Sequence, residues 1–447
     1  MKKVLLIIGL LSGGANLFAQ EVENTVSVGA GSANQVWYSL DNGEMETAPL
    51  SSWDLAFGIP KGSRGLGSIH INNVKGLELS IYPNSTRAGW DDVNISGFDA
   101  WPKLYNLPYS WSHGAFNISV DPNNAMDYSW GVYYMGPDQS RNHHVIGDSL
   151  YIIKFSDGSY KKLLLDDYNP LTSEFTFKYA ELDGQNEKEV KLDFKAYADK
   201  GFVCYSIENN EVADVAPKVT EWELLFTQYV EQIAMGPTNV VPYPVTGVLL
   251  NSGVKVAAVN NVEDPETYED YEQLIFTDTI NKIGYNWKTY DMSNGIYTIS
   301  KTVYFIQVPR LDANGTQVTD AANNPVYDVW KLRFTGFGGG ANGNITFVSE
   351  KLSGSILGTD KAFAEQNIQL YPNPSNAGYI NLDFSDSGVY GPATISVSSL
   401  QGERLFAADY NLSGSLMKLE TSSLERGIYI LNIENAGNVY TQKIVIQ

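Results

Sequence analysis

The chain has 447 residues, of which 43% are hydrophobic and 12% aromatic, so it can build several cores and is not a disordered chain. Its 30 Lys and Arg against 51 Asp and Glu give a formal net charge of −21, which repels phosphate backbones and excludes nucleic acid as an expected partner. The single Cys204 excludes an intramolecular disulfide and a Cys-based metal site.

The N-terminus has the layout of a secretory signal. Lys2 and Lys3 precede the apolar run at residues 4–11, and Ala19 stands before Gln20 at a suitable cleavage point. This order of charged, apolar and small residues is typical of a signal peptide, and the run is too short to span a bilayer. We therefore expect residues 1–19 to be a signal peptide and the mature chain to have no transmembrane segment.

The middle of the chain contains an internal repeat. Five blocks occur twice in the same order: Gln35–Leu40 with Phe202–Ile207, Trp53–Phe57 with Trp222–Phe226, Tyr128–Tyr133 with Tyr285–Tyr290, Leu150–Ile153 with Val303–Ile306, and Lys161–Leu182 with Lys331–Leu352. This order predicts a duplicated unit. The blocks are short apolar or alternating runs between Gly, Asn, Asp and Pro, which indicates strands. We expect an all-β fold with tandem domains at residues 20–185 and 186–352.

Three stretches in this region resemble HmuY-like proteins of Bacteroidetes. They are WDLAF at Trp53–Phe57, GYNWKTY at Gly284–Tyr290 and KLRFTGF at Lys331–Phe337. The resemblance covers most of residues 26–352 and is stronger in the second unit. It implies two tandem HmuY-like β domains. Because the founding member of the family is a haem-capturing protein, it also implies haem or a related small molecule as the ligand.

The resemblance further implies paired axial His or Met side chains for haem. All four histidines lie between residues 70 and 144, so any haem site is expected in the first unit. The candidates are His113, His143, His144 and Met135, although none matches a ligand position of the family. Met is more often core filler than ligand, and Met135 recurs at the same block position of the second unit. The sequence therefore leaves the cofactor unknown.

Motifs for catalysis are missing. There is no H-E-x-x-H and no G-x-S-x-G, and the glycine-rich run Gly336–Gly343 joins two β segments with no helix to receive a phosphate. The segment at residues 312–315 starts like a calcium loop but lacks the 12-residue pattern that ends in Glu, and we expect it and the acidic segment at residues 263–272 to be solvated loops. We expect no enzyme, no catalytic residue and no metal site. Spacing leaves one alternative open, a pair of carboxylates that meet in space for glycoside hydrolysis.

The last part of the chain changes character after an expected linker at residues 353–366. Seven short strand-like runs follow from Asn367, which predicts a small immunoglobulin-like β-sandwich. Three ordered motifs, LYPNP from Leu370, VSSLQGERL from Val397 and LERGIYILNIENAGNVYTQKIVI from Leu424, are similar to the type A C-terminal sorting domain of the Bacteroidetes type IX secretion system. The resemblance implies that residues 367–447 engage the type IX machinery.

These features together predict a non-enzymatic binding protein that is secreted or placed on the outer cell surface via the periplasm. Haem or a related small ligand is the candidate that the resemblance supplies. The alternative is a structural or adhesive surface protein that binds a glycan or another protein and has no small-molecule ligand.

Overall fold

The structure is a computed structural model that divides into two compact units, one ending at Gly354 and one beginning at Ser355. The expected signal peptide at residues 1–19 and the expected linker at residues 353–366 lie outside the described residues. The structure describes residues 22–60, 67–121, 123–124, 126–235, 240–312, 315–320, 323–352, 367–371, 373, 375, 378–386, 390–399, 404–413, 416–435 and 438–446.

The described residues are almost entirely strands and connections, which confirms the all-β expectation. In the first unit the strands are β1 (Val22–Ser27), β2 (Asn34–Ser39), β3 (Gly43–Pro49), β4 (Leu55–Gly58), β5 (Ile69–Ile71), β6 (Glu78–Ile81), β7 (Gly131–Tyr133), β8 (Val145–Gly147), β9 (Leu150–Lys154), β10 (Tyr160–Asn169), β11 (Glu174–Glu181), β12 (Lys188–Asp193), β13 (Phe202–Ser206), β14 (Glu211–Ala213), β15 (Leu224–Ala234), β16 (Val240–Leu250), β17 (Lys255–Val259), β18 (Lys288–Asp291), β19 (Ile296–Ile299), β20 (Val303–Pro309), β21 (Tyr327–Phe337) and β22 (Asn344–Lys351).

Helical segments in the first unit are single turns. The α-helix α1 (Gly339–Asn342) connects β21 to β22, at the glycine-rich run that the sequence placed between two β segments. The 3-10 turns are Ala30–Ser32, Leu50–Ser52, Asn73–Lys75, Arg87–Gly89, Phe98–Ala100, Ala115–Asn117, Gln139–Arg141 and Phe194–Tyr197.

The first unit contains two large hydrophobic cores, which define two lobes. Lobe A consists of strands β4–β14, and its core residues run from Leu55 to Ile207. Lobe B consists of strands β1–β3 and β15–β22, and its core joins Val26–Leu40 to Leu224–Phe347. Trp130 and Trp287, which the repeat predicts to be equivalent core residues, are both fully buried, one in each lobe.

The two lobes have the same strand order. In lobe A one sheet contains the path β12-β11-β10-β9-β6 and the other runs β14-β13-β4-β5; in lobe B the corresponding orders are β1-β22-β21-β20-β17 and β3-β2-β15-β16. Strands that carry repeated sequence blocks occupy matching places, β2 with β13, β4 with β15 and β9 with β20. All the ladders in these sheets are antiparallel. Antiparallel strands need no long crossover connection, so a hairpin from one repeat can pair with the sheet of either lobe.

The lobes therefore differ from the expected domains at residues 20–185 and 186–352. The first strand and hairpin of each repeat belong to the lobe that the other repeat builds: β1–β3 join lobe B and β12–β14 join lobe A. The physical reason is that equivalent strands present equivalent edges, so the sequence of a strand does not determine which copy it pairs with. Each lobe therefore combines most of one repeat with the first strands of the other, an arrangement that we call reciprocal.

The second unit is a two-layer β structure. Its strands are β23 (Asn367–Tyr371), β24 (Tyr379–Asp386), β25 (Tyr390–Ser399), β26 (Arg404–Ser413), β27 (Leu416–Glu420), β28 (Gly427–Asn435) and β29 (Asn438–Ile446). They form the sheets β23-β24-β27 and β26-β25-β28-β29, whose inner faces share one core. Ile380, Leu382, Ile395 and Leu431 are fully buried in it, as expected for the inward positions of a sandwich.

Candidate functional site between the two lobes

One sheet of each lobe contributes a face to a cavity of about 510 Å³. Side chains alternate along each strand, so β13 points Val203 and Tyr205 into the core of lobe A and leaves Phe202 and Cys204 on the opposite face. The same alternation in lobe B puts Trp37 of β2 on the cavity side. The cavity therefore lies where the faces that are not used for the two cores meet.

Small residues on the lobe A side contribute to the space. The strand registers place Cys204 opposite Ala56, and Ala56 opposite His70, so the three lie in a row across β13, β4 and β5. Strands are spaced at about 4.8 Å, which separates the ends of this row by about 10 Å. The repeat gives the corresponding row in lobe B larger side chains: Trp37, Leu225 and Leu249.

Aromatic side chains form much of the rest of the lining. Trp53 and Trp222, the repeated Trp pair, both line the cavity; Trp222 is only 8% exposed and Trp53 is half-buried. Trp111 of lobe A donates its indole N–H to the backbone carbonyl of Leu250 in lobe B at 2.7 Å. Its ring also meets the edge of Phe202 at a centroid distance of 5.6 Å. Trp111 therefore links the lobes and fixes one wall.

His70 is the titratable group most deeply placed in this wall. Its Nε2 lies 2.9 Å from the hydroxyl of Ser68 and 3.1 Å from the backbone carbonyl of Trp111. Because a carbonyl only accepts hydrogen bonds, Nε2 carries the proton. Burial lowers the pKa of His70 from 6.5 to about 4, so the imidazole is neutral at physiological pH.

Cys204 and Gln35 add two further polar groups. Burial raises the pKa of the Cys204 thiol to about 12, so this cysteine is a neutral thiol and not a nucleophilic thiolate. Gln35 is 4% exposed, and its amide nitrogen has no hydrogen-bond partner among the described residues. A buried donor without a partner is uncommon because it has lost its hydration without compensation.

The described residues of the lining are all uncharged types. Among the described residues that line the cavity there is no Asp, Glu, Lys or Arg, although the whole chain has a net charge of −21. An ion in this space would lose its hydration without an opposite charge from the described lining to replace it. The lining is suited to neutral, largely apolar molecules, and a few polar groups can orient them.

The four side chains predicted as haem ligands are not part of the described lining, although the charge of His113 is felt at His70, whose pKa it lowers further. His113 is exposed on a loop of lobe A, and Met135 is 66% exposed. His143 is exposed with its Nδ1 2.6 Å from the hydroxyl of Tyr133, and His144 is buried with its Nδ1 2.9 Å from the carboxylate of Asp167. None of the four belongs to the described cavity lining.

His70 is the residue whose position sequence reasoning missed. It stands between Ile69 and Ile71, and a polar residue between two apolar ones indicates the outer face of a strand. That pattern does not reveal that the outer face of β5 is covered by a second lobe. The signal was present in the comparison of the repeats, where Cys204 and Ala56 stand against Trp37 and Leu225.

The described residues contain neither a candidate metal site nor a candidate membrane-spanning helix. Among the described residues, no group of three or more His, Cys, Asp or Glu side chains is placed to hold a metal ion. In the same part of the chain, no helix is long and apolar enough to cross a membrane.

Comparison with known proteins identifies the C-terminal unit. Residues 369–447 match the family described as the secretion system C-terminal sorting domain. A search of curated proteins gives no significant match. The type IX sorting domain expected at residues 367–447 is thereby confirmed, and it indicates export to the cell surface or secretion via the periplasm. The type IX secretion machinery is accordingly a partner of this chain.

Proposed function

We propose that this exported protein is a non-enzymatic binding protein whose ligand occupies the cavity between the lobes. The observation that carries the proposal is an aromatic-lined space of about 510 Å³ with no charged side chain in its described lining. This volume lies within the usual range of small-molecule sites, about 300–1,000 Å³. Two lobes that each supply one wall form a site that neither lobe contains alone.

The neutral forms of the cavity side chains favour binding over catalysis. Burial keeps both the His70 imidazole and the Cys204 thiol uncharged, and the described lining offers no carboxylate to act as a base. General acid–base catalysis works best with a group whose pKa lies near the working pH, which neither residue has.

The finer proposal is that residues 26–352 are HmuY-like and that haem or a related molecule is the ligand. His70 supports it, because a neutral imidazole in the cavity wall is a suitable donor for iron. The described lining fits an apolar macrocycle and iron better than it fits the two carboxylates of haem, for which it has no cation. Haem would therefore bind with its carboxylates directed out of the cavity.

Titration of the mature full-length protein with haem tests this finer proposal. A Soret band that is shifted from that of free haem in the wild type, unshifted in His70→Leu and still shifted in His113→Ala would support haem ligation from the cavity. Loss of the shifted band in His113→Ala, with binding kept in His70→Leu, would show that His113, a ligand predicted from the sequence, binds the iron instead. Absence of a shifted Soret band in the wild type would exclude haem as the ligand. The proposal would then be that the cavity binds a neutral molecule other than haem.

The alternative function is adhesion to a glycan or a protein without a small-molecule ligand. The hairpin β18–β19 favours it, because Tyr290 and Tyr297 lie side by side on one face with ring centroids 4.9 Å apart, 51% and 37% exposed, and Met292 at the turn is 89% exposed. Exposed apolar side chains that lie together are typical of contact surfaces. If adhesion is the function, Tyr290→Ser with Met292→Ser should abolish attachment of the protein to its surface partner, whereas variants of the cavity should not.

A further inference from the structure

One edge of the His70 ring contacts the protein through Nε2 and Cδ2, and the other edge makes no hydrogen bond to the described residues. Nε2 is occupied by Ser68 and the Trp111 carbonyl, and Cδ2 lies so close to Gly114 that a Cβ there would be 2.8 Å away. The remaining edge consists of Nδ1 and Cε1. In the described part of the chain no residue hydrogen-bonds to Nδ1, and His70, 6% exposed, lines the cavity.

The protein also determines what Nδ1 can do. Since the proton is on Nε2, Nδ1 carries a lone pair and can only accept a hydrogen bond. The ring cannot turn freely, because it meets the edge of Phe202 at a centroid distance of 5.0 Å and lies 6.1 Å from the ring of Trp111. The acceptor is thus held in one orientation before a ligand arrives, which reduces the entropy lost on binding.

The lining around this acceptor restricts the ligand further. The walls contain Trp37, Trp53 and Trp222, on which a ring can pack, and the described lining has no charge to balance an ion. A ligand that enters the cavity removes water from Nδ1, and an acceptor that loses its hydration without meeting a donor costs free energy, so a ligand that provides a donor is favoured over one of the same shape that does not.

We propose that the cavity selects a neutral, ring-containing molecule that donates a hydrogen bond from a hydroxyl or N–H group to Nδ1 of His70. This inference rests on the proposed function in its general form, a ligand bound in the inter-lobe cavity, and deepens it by naming a ligand chemistry other than haem, because an Nδ1 that ligates iron cannot also accept a hydrogen bond. It assigns His70 as the residue that determines specificity and the aromatic walls as the source of most of the affinity.

Three naphthalene probes test the inference by calorimetric titration of the mature full-length protein at pH 7. They are 2-naphthol, which is a neutral donor; 2-methoxynaphthalene, which has the same ring without the donor; and 2-naphthoate, which is an anion. We expect 2-naphthol to bind about tenfold more tightly than its methyl ether, the effect of one net hydrogen bond, and 2-naphthoate to bind most weakly.

Variants then assign the preference to His70. His70→Leu introduces the residue type that the equivalent position of lobe B, Leu249, already carries, and Ser68 still donates to the Trp111 carbonyl. This variant should bind both neutral probes equally, at the affinity that the wild type has for the ether. Leu171→Ala, 75% exposed on the turn between β10 and β11, is the control and should keep the tenfold preference.

The wild-type titrations alone decide the inference if His70→Leu does not fold. Equal affinity for 2-naphthol and its ether would overturn the role of His70 and leave the cavity as the site. Tighter binding of 2-naphthoate would overturn selection for neutral molecules. Failure of all three probes to bind would overturn the proposed function, and this inference with it.

Discussion

The carboxylate of Glu223 accepts a hydrogen bond from the backbone amide of Leu40 at 2.7 Å, across 183 residues of the chain. Asp54 makes the equivalent bond to Ile207, also at 2.7 Å, and the two pairs correspond in the repeat. Each carboxylate thus holds the hairpin that belongs to the other repeat. The same kind of hydrogen bond, from a backbone amide to a carboxylate, therefore stabilises both exchanged hairpins.

The surroundings of the two carboxylates differ. Asp54 is fully buried and forms an ion pair with Lys75 at 2.8 Å. Glu223 has no ion pair among the described residues: burial, with a smaller contribution from the charge of Asp41, raises its pKa from 4.5 to about 7. The equivalent bond is therefore supported by an ion pair in lobe A, whereas in lobe B it is made by a carboxyl group whose pKa lies near neutral pH.

This difference predicts how stability depends on pH. Between about pH 4.5 and pH 7 the folded protein keeps a proton on Glu223 that the unfolded chain has released. The contribution of Glu223 is therefore fully present below about pH 4.5 and is lost as the pH rises through 7, with a total of about 3 kcal/mol. Glu223→Gln keeps an acceptor for Leu40 without titrating, so it should become more stable than the wild type as the pH rises from 5 to 8.

Urea unfolding of the wild type and Glu223→Gln at several pH values between 5 and 8 measures this effect. The difference between the two free energies of unfolding isolates Glu223 from other titrating groups. A difference that stays constant over this pH range would show that Glu223 has an ordinary pKa in the folded protein.

Asp54→Asn should be destabilising at every pH from 5 to 8. The substitution removes the charge that pairs with the partly exposed Lys75 and one acceptor oxygen of a fully buried carboxylate, and leaving buried groups without a partner costs about 1–3 kcal/mol. Glu208→Gln is the control, since Glu208 also contacts Lys75, at 3.1 Å, but its side chain is 70% exposed. The control should cost less than about 1 kcal/mol. Equal losses in the two variants would mean that burial of Asp54 does not decide its contribution.

Trp287→Ala should destabilise lobe B by about 3–5 kcal/mol, because it opens a cavity in a packed core. Trp287 is fully buried and stacks on Phe334 at a centroid distance of 4.0 Å. Trp130→Ala should cost a similar amount in lobe A, where the repeat places the equivalent residue. Chemical denaturation of both variants measures the losses; a loss below 1 kcal/mol in either would contradict an equivalent core role.

Fragments distinguish the observed lobes from domains that follow the chain. Residues 53–216 contain all strands of lobe A and should fold alone, with a cooperative thermal transition in circular dichroism. Residues 20–185 lack β12–β14, so part of the lobe A core would be exposed, and they should not fold. A cooperative transition in the second fragment together with none in the first would restore sequential domains.

Much of this fold was predictable because strand sequences report their own burial. The repeated blocks predicted the strands, and the repetition of Trp130 as Trp287 predicted the buried indoles. The motifs from Leu370 onward predicted the sorting domain. In each case the information lies within a few consecutive residues.

The site was not predictable because its residues meet only through strand pairing. Cys204 and His70 become neighbours of Ala56 through two ladders, one of which joins strands from different repeats. Sequence similarity shows that β2 and β13 are equivalent but not which lobe each one completes. The His and Met side chains that the sequence predicts as haem ligands therefore lie outside the cavity lining that the structure describes.

The binding isotherm of 2-naphthol for the wild type and for Ala56→Leu tests the inter-lobe cavity most directly. Ala56 lies in the middle of the lobe A row, and leucine is the residue that lobe B carries at the equivalent position, Leu225. We predict one saturable site per chain in the wild type and an affinity at least tenfold lower in the folded Ala56→Leu variant, because the added side chain fills the space. The same affinity in both proteins would place the ligand elsewhere and contradict the account.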